Sequence, residues 1–449
     1  MLRSFRLANH RSFRDEHELL LMPSYDNDRA VIPVAAVFGA NASGKSNLLD
    51  GLRLMQLLVL GWERSEPESG IPRSPFRLVP KSLLDPSSFA VELVLGGVRY
   101  VYGFAVDDVR VVSEWLYTYP HGRKRILFER DGASIDFGSM VTQRTRAEVI
   151  EDLLTDDNLF LCAAAQLKLD QYRPVFGWFW RSLVFMRSGQ PVWPSGRPGW
   201  SGSEGLARFL EGADSARARF LDLARAADVG ISDLIVEYAE DPRVAALARE
   251  VEELARKLVE LESRQASTES TMTQQYAEQL DLARSRAAAL RERSQRAKLL
   301  VMHGSVGFEL SDESEGTRLW LELLPRVITS LTSGRTLVID EIDTSLHPLL
   351  VRKLVGLFRD PATNVSQAQL LFTTHDAFLL APVAGESGLD RDQVWFVEKH
   401  ADGASELYPL TDFKPRNEHN LARRYLGGSY GAIPLLDGFD SIVTSTPAE

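Results

Sequence analysis

The sequence predicts an α/β fold that carries an antiparallel β-subdomain and a short antiparallel coiled-coil insertion. The first observation is a glycine-rich turn at residues 39–46, which lies between an apolar stretch of strand length and a helical pattern. The second is another apolar stretch, residues 337–341, which ends in two carboxylates. The third is a change of period: residues 89–137 alternate with a period of two, whereas residues 243–300 carry heptad spacings.

The composition is that of an ordinary protein with a large core. The 449 residues are 44% hydrophobic and 25% charged. The single cysteine, Cys162, excludes an internal disulfide and suits a reducing compartment. No apolar stretch is long enough to span a bilayer and no signal peptide is recognisable, so we expect a cytoplasmic protein without a membrane partner. The net charge of −11 argues against indiscriminate coating of nucleic acid but leaves room for a local basic groove.

Residues 39–46 have the spacing of a phosphate-binding loop, in which two glycines are followed by lysine and serine. The glycines let backbone N–H groups point at an anion, and the start of the following helix adds its dipole. Lys45 is placed to reach the β- and γ-phosphates, and the Ser46 hydroxyl to hold Mg²⁺. The alternative is a simple glycine-rich turn, which the flanking strand and helix disfavour. The nucleotide-binding candidates here are Gly39, Asn41, Ser43, Gly44, Lys45, Ser46 and Asn47.

The segments on either side of this loop are predicted from their periodicity. Residues 1–38 alternate as two strands joined by a polar turn, followed by the strand that leads into the loop. Arg11 and Arg14 are either neighbours of the nucleotide or, as is commoner, solvated surface arginines. Residues 63–88 are rich in Pro, Ser and Glu and predict a loop.

The central part of the chain predicts a sheet followed by helices. Residues 89–137 indicate an antiparallel sheet with Gly96-Gly97 as a hairpin turn. Residues 145–185 are expected to be helical, and their aromatic cluster favours core packing over a base-stacking platform. Residues 187–205 are rich in Gly, Pro and Ser and make the best loop or internal boundary. The aromatic cluster consists of Phe176, Trp178, Phe179 and Trp180.

Two heptad runs predict a coiled-coil hairpin with arms at about residues 243–265 and 273–300. Ala297 and Val301 continue the register of the second arm. The first arm is acidic and the second is basic, which indicates either charge pairing between the arms or an arm that faces DNA. The basic residues of the second arm are Arg284, Arg286, Arg291, Arg293, Arg296 and Lys298.

Residues 335–341 form an apolar strand that ends in Asp340 and Glu341. Asp340 is placed to bind Mg²⁺, and Glu341 to orient and polarise a water molecule. Taken alone, the pattern fits any buried strand that runs into an acidic turn, but the upstream phosphate loop favours the site. Ser and Gly at residues 314–317 open a predicted helix over residues 318–331 and offer another anion site, and a later strand ends at His375.

With these motifs the chain resembles the ABC-type ATPases of the SMC, RecF and OLD kind, and most closely the stand-alone bacterial AAA15/AAA21 ATPases. The resemblance implies a P-loop NTPase head of the ABC type, with residues 1–205 and 304–449 as its halves and residues 206–303 as a helical insertion. The motifs that carry it are residues 39–46, 314–317, 337–341, 345–348 and 373–376, with the tail at 391–399 and 424–434.

The resemblance also implies how the site is completed. It implies ATP and Mg²⁺ as cofactors and a head-to-tail homodimer, or a higher oligomer, that sandwiches ATP between subunits. Ser314 and Gly316 would contact the γ-phosphate held by the other subunit's Lys45. Asp343 would lie in the loop between the two sites, and His375 would sense the γ-phosphate. The Ser-Glu-Gly-Thr signature departs from the transporter form, and this disfavours a transporter subunit.

The resemblance leaves three readings of the function. The first is an ATP-hydrolysing sensor in anti-phage defence, similar to AriA of PARIS and to the RloA and AbiL types, which controls a TOPRIM-type nuclease or a toxin in trans. The second is a DNA-maintenance ATPase like RecF or SMC that clamps DNA on ATP binding. The third is an ATP-gated scaffold in which hydrolysis is slow or incidental.

Overall fold

The computed structural model describes residues 1–24, 30–61, 70–139, 141–187, 202–227, 230–240, 242–263, 277–286, 295–383, 387–416 and 420–434. The chain forms two compact units, one of Met1–Arg197 with Arg326–Glu449 and one of Pro198–Pro325. This division differs from the three expected segments bounded at residues 205 and 303, which stay a prediction.

The strands in chain order are β1 (Leu2–Ala8), β2 (His17–Leu20), β3 (Val34–Phe38), β4 (Ser87–Leu95), β5 (Val98–Val106), β6 (Val111–Tyr119), β7 (Arg125–Asp131), β8 (Ser134–Phe137), β9 (Leu183–Arg187), β10 (Asp233–Glu240), β11 (Gln295–His303), β12 (Val306–Glu309), β13 (Thr336–Asp340), β14 (Gln369–Thr374), β15 (Val394–Lys399) and β16 (Ser405–Pro409).

The helices are α1 (Lys45–Val59), α2 (Pro80–Leu84), α3 (Arg144–Leu153), α4 (Phe160–Gln166), α5 (Arg173–Gly177), α6 (Gly202–Leu210), α7 (Asp214–Ala226), α8 (Pro242–Ser263), α9 (277–286), α10 (Glu315–Ser333), α11 (Pro348–Arg359) and α12 (Leu421–Leu426). A π-helical turn follows α5 at Trp178–Ser182, and short 3₁₀ turns lie at Pro120–Gly122, Leu310–Asp312, Ala377–Leu380, Arg391–Gln393 and Leu410–Phe413.

The first unit is built around a six-stranded sheet in the order β16-β15-β3-β14-β13-β9. All of its strand pairs are parallel except β15 with β16. Every residue of β3 and of β14 is buried, as expected for strands covered on both faces. Because β14 lies between β3 and β13, the carboxyl ends of these three strands meet at one edge of the sheet.

The predicted antiparallel sheet is present in the same unit, with seven strands in the order β2-β1-β4-β5-β6-β7-β8. The Gly96-Gly97 hairpin turn is confirmed, and both glycines have positive φ. One core joins this sheet to α1 and to the central sheet through side chains such as Phe5, Leu52 and Val338. The α/β class with an antiparallel β-subdomain is therefore confirmed.

Two smaller expectations for this unit have different outcomes. Trp178 and Phe179 are buried in the core, as expected, whereas Trp180 is 43% exposed. Residues 80–84, expected in a loop, instead form α2. Pro80 stands at the start of that helix. A proline loses no helical hydrogen bond there, because the N–H groups of the first turn have no partner within the helix, and its fixed φ suits the first turn.

The second unit contains the three-stranded sheet β10-β11-β12, which corrects the predicted second coiled-coil arm. The first arm is helical as expected, since α8 spans Pro242–Ser263. The second arm is wrong over residues 295–300, because these residues belong to β11, which pairs with β10 in antiparallel register. Ala297, Leu299 and Val301 alternate as buried side chains, so their period of two outweighs the heptad spacing. Arg291 and Arg293 lie outside the described residues.

Candidate nucleotide-binding site

The phosphate loop follows β3 and leads directly into α1, as the sequence predicts. Its backbone needs the left-handed region twice, at Ala42 (φ 62°) and at Gly44 (φ 118°). A side chain at Gly44 would collide with the hydroxyls of Ser405 and Ser12, so only glycine fits there. The Ser43 hydroxyl is buried and has no hydrogen-bond partner among the described residues, as expected of a group that awaits a ligand.

Lys45 folds back over its own loop. Its Nζ donates hydrogen bonds to the carbonyl oxygens of Gly39 (2.7 Å) and Ala40 (2.9 Å). Burial lowers the pKa of Lys45, while the nearby carboxylates of Glu341, Asp343 and Asp340 act in the opposite direction. The ammonium group is thus held inside the loop, where an incoming phosphate can replace carbonyl oxygens as its partner.

The acidic residues at the end of β13 meet the phosphate loop and β14. The Ser46 hydroxyl donates a hydrogen bond to Asp340 Oδ1 (3.0 Å), and the Thr373 hydroxyl donates to the same oxygen (2.7 Å). The next residue, Glu341, has a left-handed backbone (φ 55°), and its N–H donates to Thr373 Oγ1 (2.7 Å). Its side chain is exposed at this edge. The structure therefore brings together Ser46, Asp340 and Glu341, as predicted.

This arrangement fits a hydrated magnesium ion. Mg²⁺ takes oxygen ligands, and nucleotide sites usually supply only one or two of these from the protein. Ser46 Oγ and Asp340 Oδ1 are two such oxygens in direct contact. In the part of the chain that the structure describes, no group of three or more His, Cys, Asp or Glu residues could hold a metal. Ser46 and Asp340 are thus the residues that would hold Mg²⁺ together with nucleotide phosphates.

Asp343 and His375 form a pair beside this cluster. His375 Nδ1 lies 3.2 Å from Asp343 Oδ2, and the His375 backbone N–H donates to the same oxygen (3.3 Å). The Asp343 side chain is only 7% exposed, whereas the His375 side chain is 62% exposed. Asp343 thus anchors a histidine whose ring remains accessible at the end of β14.

A network of hydroxyl groups supports the phosphate loop from behind, and sequence reasoning missed it. Ser405 Oγ donates its proton to the carbonyl oxygen of Ser43 (2.5 Å) and also contacts Ser12 Oγ (2.8 Å). Asn47 Nδ2 also donates to Ser12 Oγ (2.7 Å). The polar turn after β1 and the first residue of β16 are thereby joined to the loop. No local motif marks Ser12 or Ser405, since their spacing in the chain is long.

Arg11 and Arg14, for which the sequence left two readings, have carboxylate partners. Arg11 Nε donates to Asp50 Oδ2 (2.5 Å), and buried His10 contacts the same oxygen (3.1 Å). Arg11 also lines the cavity that contains Ser46 and Asp340. Arg14 pairs with Asp402 (2.7 Å) at the surface.

Ser314 and Gly316 belong to the second unit, at the start of α10. The Ser314 hydroxyl accepts a hydrogen bond from the Thr317 N–H (3.2 Å) and contacts the Thr317 hydroxyl (2.8 Å), so it caps the helix. The preceding carboxylate, Glu313, lies 2.8 Å from His303 Nε2. The predicted contact of Ser314 and Gly316 with a nucleotide on another subunit stays a prediction.

The comparison with known families identifies the chain's relatives. The family described as "AAA domain, putative AbiEii toxin, Type IV TA system" matches residues 34–148 and 191–381, which is more than half of the chain. The chain belongs to this family. An AAA-domain ATPase family agrees with the phosphate loop and acidic strand of the α/β unit. No curated protein matches the chain.

Several solved SMC head domains are similar to the AAA-domain chain over nearly their whole length. A structure described as the SmcHead bound to the C-winged helix domain of ScpA is 12% identical with a TM-score of 0.43, covering 91% of this chain and 96% of that one. The SMC head domain from Thermotoga maritima is 12% identical, with a TM-score of 0.37 and coverage of 91% and 98%. The Smc head domain with an extended coiled coil bound to the C-terminal domain of ScpA, from Pyrococcus furiosus, is 13% identical, with a TM-score of 0.37 and coverage of 95% and 99%.

No described helix is both long and apolar enough to cross a membrane.

Proposed function

We propose that the protein binds ATP with Mg²⁺ and hydrolyses it. The observation that carries the proposal is the contact of the phosphate-loop Ser46 with Asp340, followed directly by Glu341. In this proposal Lys45 binds the β- and γ-phosphates, Ser46 and Asp340 hold Mg²⁺, and Glu341 orients and polarises the attacking water. When bound, Mg²⁺ supplies charge neutralisation on the phosphate oxygens. His375, anchored by Asp343, contacts the γ-phosphate from the end of β14.

The proposal is tested by Glu341→Gln, which keeps the side chain's size but removes its charge. We expect ATP binding to stay within a factor of about three and the turnover number to fall at least about a hundredfold, because the water loses its base. The matched control is Glu148→Gln, an exposed carboxylate on α3. Equal turnover in the Glu341 variant and the wild type would contradict the assignment.

We further propose that ATP is hydrolysed between two copies of the chain. Ser314 caps α10 and is exposed, so the helix start can offer its N–H groups to an anion outside its own unit. Ser314 and Gly316 of one protomer then contact the γ-phosphate held by Lys45 of its partner. The active species is a head-to-tail homodimer or a higher oligomer built from it.

The biological role that we propose is regulation of a partner in anti-phage defence in the cytoplasm. The family's description as a toxin of a type IV toxin–antitoxin system supports a role in which a second protein takes part. The partner in this proposal is a TOPRIM-type nuclease or a toxin encoded separately. Cells that carry the genes of this protein and of its partner should resist phage, and Lys45→Ala should abolish this resistance. In a pull-down with a non-hydrolysable ATP analogue, the wild-type protein should recover the effector and the Lys45→Ala variant should not.

A clamp on DNA is the second candidate, and a cationic turn favours it. The turn between β6 and β7 exposes Arg123, Lys124 and Arg125. Lys124 Nζ lies 3.5 Å from the centre of the Tyr117 ring. A basic turn beside an aromatic ring is typical of surfaces that bind nucleic acid strands. Exposed Arg284 and Arg286 on α9 belong to the predicted basic arm.

The two cationic surfaces are distinguished by a DNA titration at several salt concentrations. Neutralising Arg123, Lys124 and Arg125 removes about three phosphate contacts and should reduce the slope of log affinity against log salt by about three. Neutralising Arg284 and Arg286 provides the matched comparison. An unchanged slope in both variants would count against a DNA clamp.

A further inference from the structure

Thr373 is the buried side chain that contacts both residues of the acidic pair. It is 0% exposed, lies on β14, and follows the phenylalanine that is paired with Ile339 of β13. Its backbone is paired on the other side with Val37 of β3. Thr373 therefore stands between the strand that leads into the phosphate loop and the strand that ends in the carboxylates.

We infer that Thr373 is a positioning residue. Its hydroxyl joins Asp340 and Glu341 in one hydrogen-bonded unit, so that Asp340 is placed to bind Mg²⁺ and Glu341 to orient water. The inference rests on the proposed function of this site. The hydroxyl donates its proton to Asp340 Oδ1 (2.7 Å) and accepts the N–H of Glu341 (2.7 Å). One hydroxyl has a single donor and two acceptor lone pairs, so both bonds form at the same time.

The Thr373 backbone completes the support of the acidic turn. Its carbonyl oxygen accepts the N–H of Ile342 (3.1 Å), so two successive N–H groups of the turn bond to one residue. Glu341 needs this support because its backbone is left-handed at φ 55°, a conformation that is unfavourable for a residue with a Cβ. Without the hydroxyl, the turn would relax and the Glu341 side chain would lose its direction.

The Thr373 bond to Asp340 differs in kind from the Ser46 bond. Both hydroxyls donate to Asp340 Oδ1, but Ser46 is itself an expected ligand of Mg²⁺, whereas Thr373 is not. Thr373 thus holds the carboxylate from the protein side. Removing such an outer partner of a metal ligand typically costs about 10–100-fold in metal affinity or activity.

The experiment compares Thr373→Val, which removes the hydroxyl at almost constant shape, with Thr373→Ser, which keeps it. The binding of a fluorescent ATP analogue is titrated with Mg²⁺ and measured separately in EDTA, without any need for turnover. For the valine variant we expect unchanged affinity in EDTA, a Mg²⁺ requirement raised about tenfold, and turnover reduced at least about tenfold. The serine variant should stay within about threefold of wild type.

Thr374→Val is the matched control, because Thr374 is equally buried on the same strand and its hydroxyl accepts the Asp376 N–H instead. The Thr374→Val variant should lose about as much unfolding free energy as Thr373→Val but keep the wild-type Mg²⁺ requirement. Thr373→Ala replaces the valine variant if that variant does not fold. Wild-type Mg²⁺ dependence without the hydroxyl, or equal losses in the serine and valine variants, would overturn the inference. If the wild type binds ATP but shows no turnover, hydrolysis fails as the function while the Mg²⁺ titration still decides on Thr373.

Discussion

Gly44 shows at the scale of one residue why the phosphate loop tolerates no side chain. Its φ of 118° is unfavourable for other residues, and a Cβ would meet the hydroxyls of Ser405 and Ser12. Those hydroxyls cannot move freely because they bond to the loop and to each other. The glycine is therefore required both by backbone conformation and by packing.

We predict that Gly44→Ala weakens ATP binding at least about tenfold, because the loop must shift away from the Ser12–Ser405 pair. Gly96→Ala is the control, since Gly96 also has positive φ (56°) but has open space around its Cβ position. Both variants should lose about 1–2 kcal/mol of unfolding free energy from the backbone. Isothermal titration with ATP and chemical denaturation measure the two effects, and equal ATP affinities would contradict the prediction.

The residues of the site differ in how far the sequence could predict them. Short motifs predict four of these residues, because each motif lies within one short segment of the chain. They are Lys45 and Ser46 in the phosphate loop and Asp340 and Glu341 at the end of the acidic strand. Thr373 is missed because its role depends on the strand order, which brings its hydroxyl to carboxylates about thirty residues earlier. The sequence marks the role of Thr373 only through the combination of two strands that are recognised separately. One is the acidic strand, and the other is the strand that ends in the hydroxyl side chains of Thr373 and Thr374.

At the scale of elements, Glu114 of β6 holds α4 to the antiparallel sheet. Its carboxylate accepts the N–H groups of Phe160 (2.6 Å) and Leu161 (3.0 Å) at the start of α4, together with the Tyr102 hydroxyl (3.0 Å). Burial raises the pKa of Glu114, while these N–H groups and the guanidinium of Arg130 act in the opposite direction. The carboxylate thus serves as the helix cap that the chain lacks locally.

We predict that Glu114→Ala lowers the unfolding free energy by about 3–5 kcal/mol, because it leaves two helix N–H groups and the Tyr102 hydroxyl buried without their acceptor and removes the countercharge beside Arg130. Glu148→Ala on α3 breaks an exposed pair with Arg144 and should cost less than about 1 kcal/mol. Urea denaturation followed by tryptophan fluorescence compares the two variants. Similar losses of unfolding free energy in the two variants would show that the buried carboxylate contributes no more to stability than a surface one.

The start of α10 offers a way to separate helix capping from nucleotide contact. Aspartate caps helices as well as serine does, but its charge repels a phosphate. We therefore predict that Ser314→Asp keeps the unfolding temperature and lowers ATP turnover at least about tenfold. Ala213→Asp places the same residue at the N-cap of α7, which no side chain caps, so it should not lower the unfolding temperature and should leave ATP turnover unchanged. Wild-type turnover in Ser314→Asp would exclude Ser314 from the site.

Elements differ in predictability for a physical reason that β11 illustrates. The steps from Leu290 to Ala297 and Val301 fit a heptad, but Ala297, Leu299 and Val301 also fit a strand. Short apolar segments satisfy both periods, and only the pairing partner decides between them. That partner is β10, more than fifty residues away along the chain. The β3 strand, by contrast, is fixed locally by the glycine-rich loop that must follow it.

At the scale of the whole molecule, the residues that we propose for ATP hydrolysis lie on two compact units. The phosphate loop, Asp340, Glu341 and His375 lie in the first unit, while Ser314 and Gly316 lie in the second. The proposal that a second copy supplies Ser314 and Gly316 makes turnover depend on protein concentration. Specific turnover should fall on dilution, and Glu341→Gln with ATP should accumulate the dimer in size-exclusion chromatography with light scattering.

Mixing two inactive variants tests whether the site is shared between copies. Lys45→Ala lacks the phosphate-loop lysine, and Ser314→Asp lacks a competent signature residue, so each homodimer should have strongly reduced turnover. In a mixed head-to-tail dimer, one interface carries both defects and the other joins an intact Lys45 to an intact Ser314. Random exchange makes half of the dimers mixed, so we predict recovery of about one quarter of wild-type turnover. If Ser314 instead served the nucleotide of its own chain, every site in the mixture would carry a defect and no activity would return.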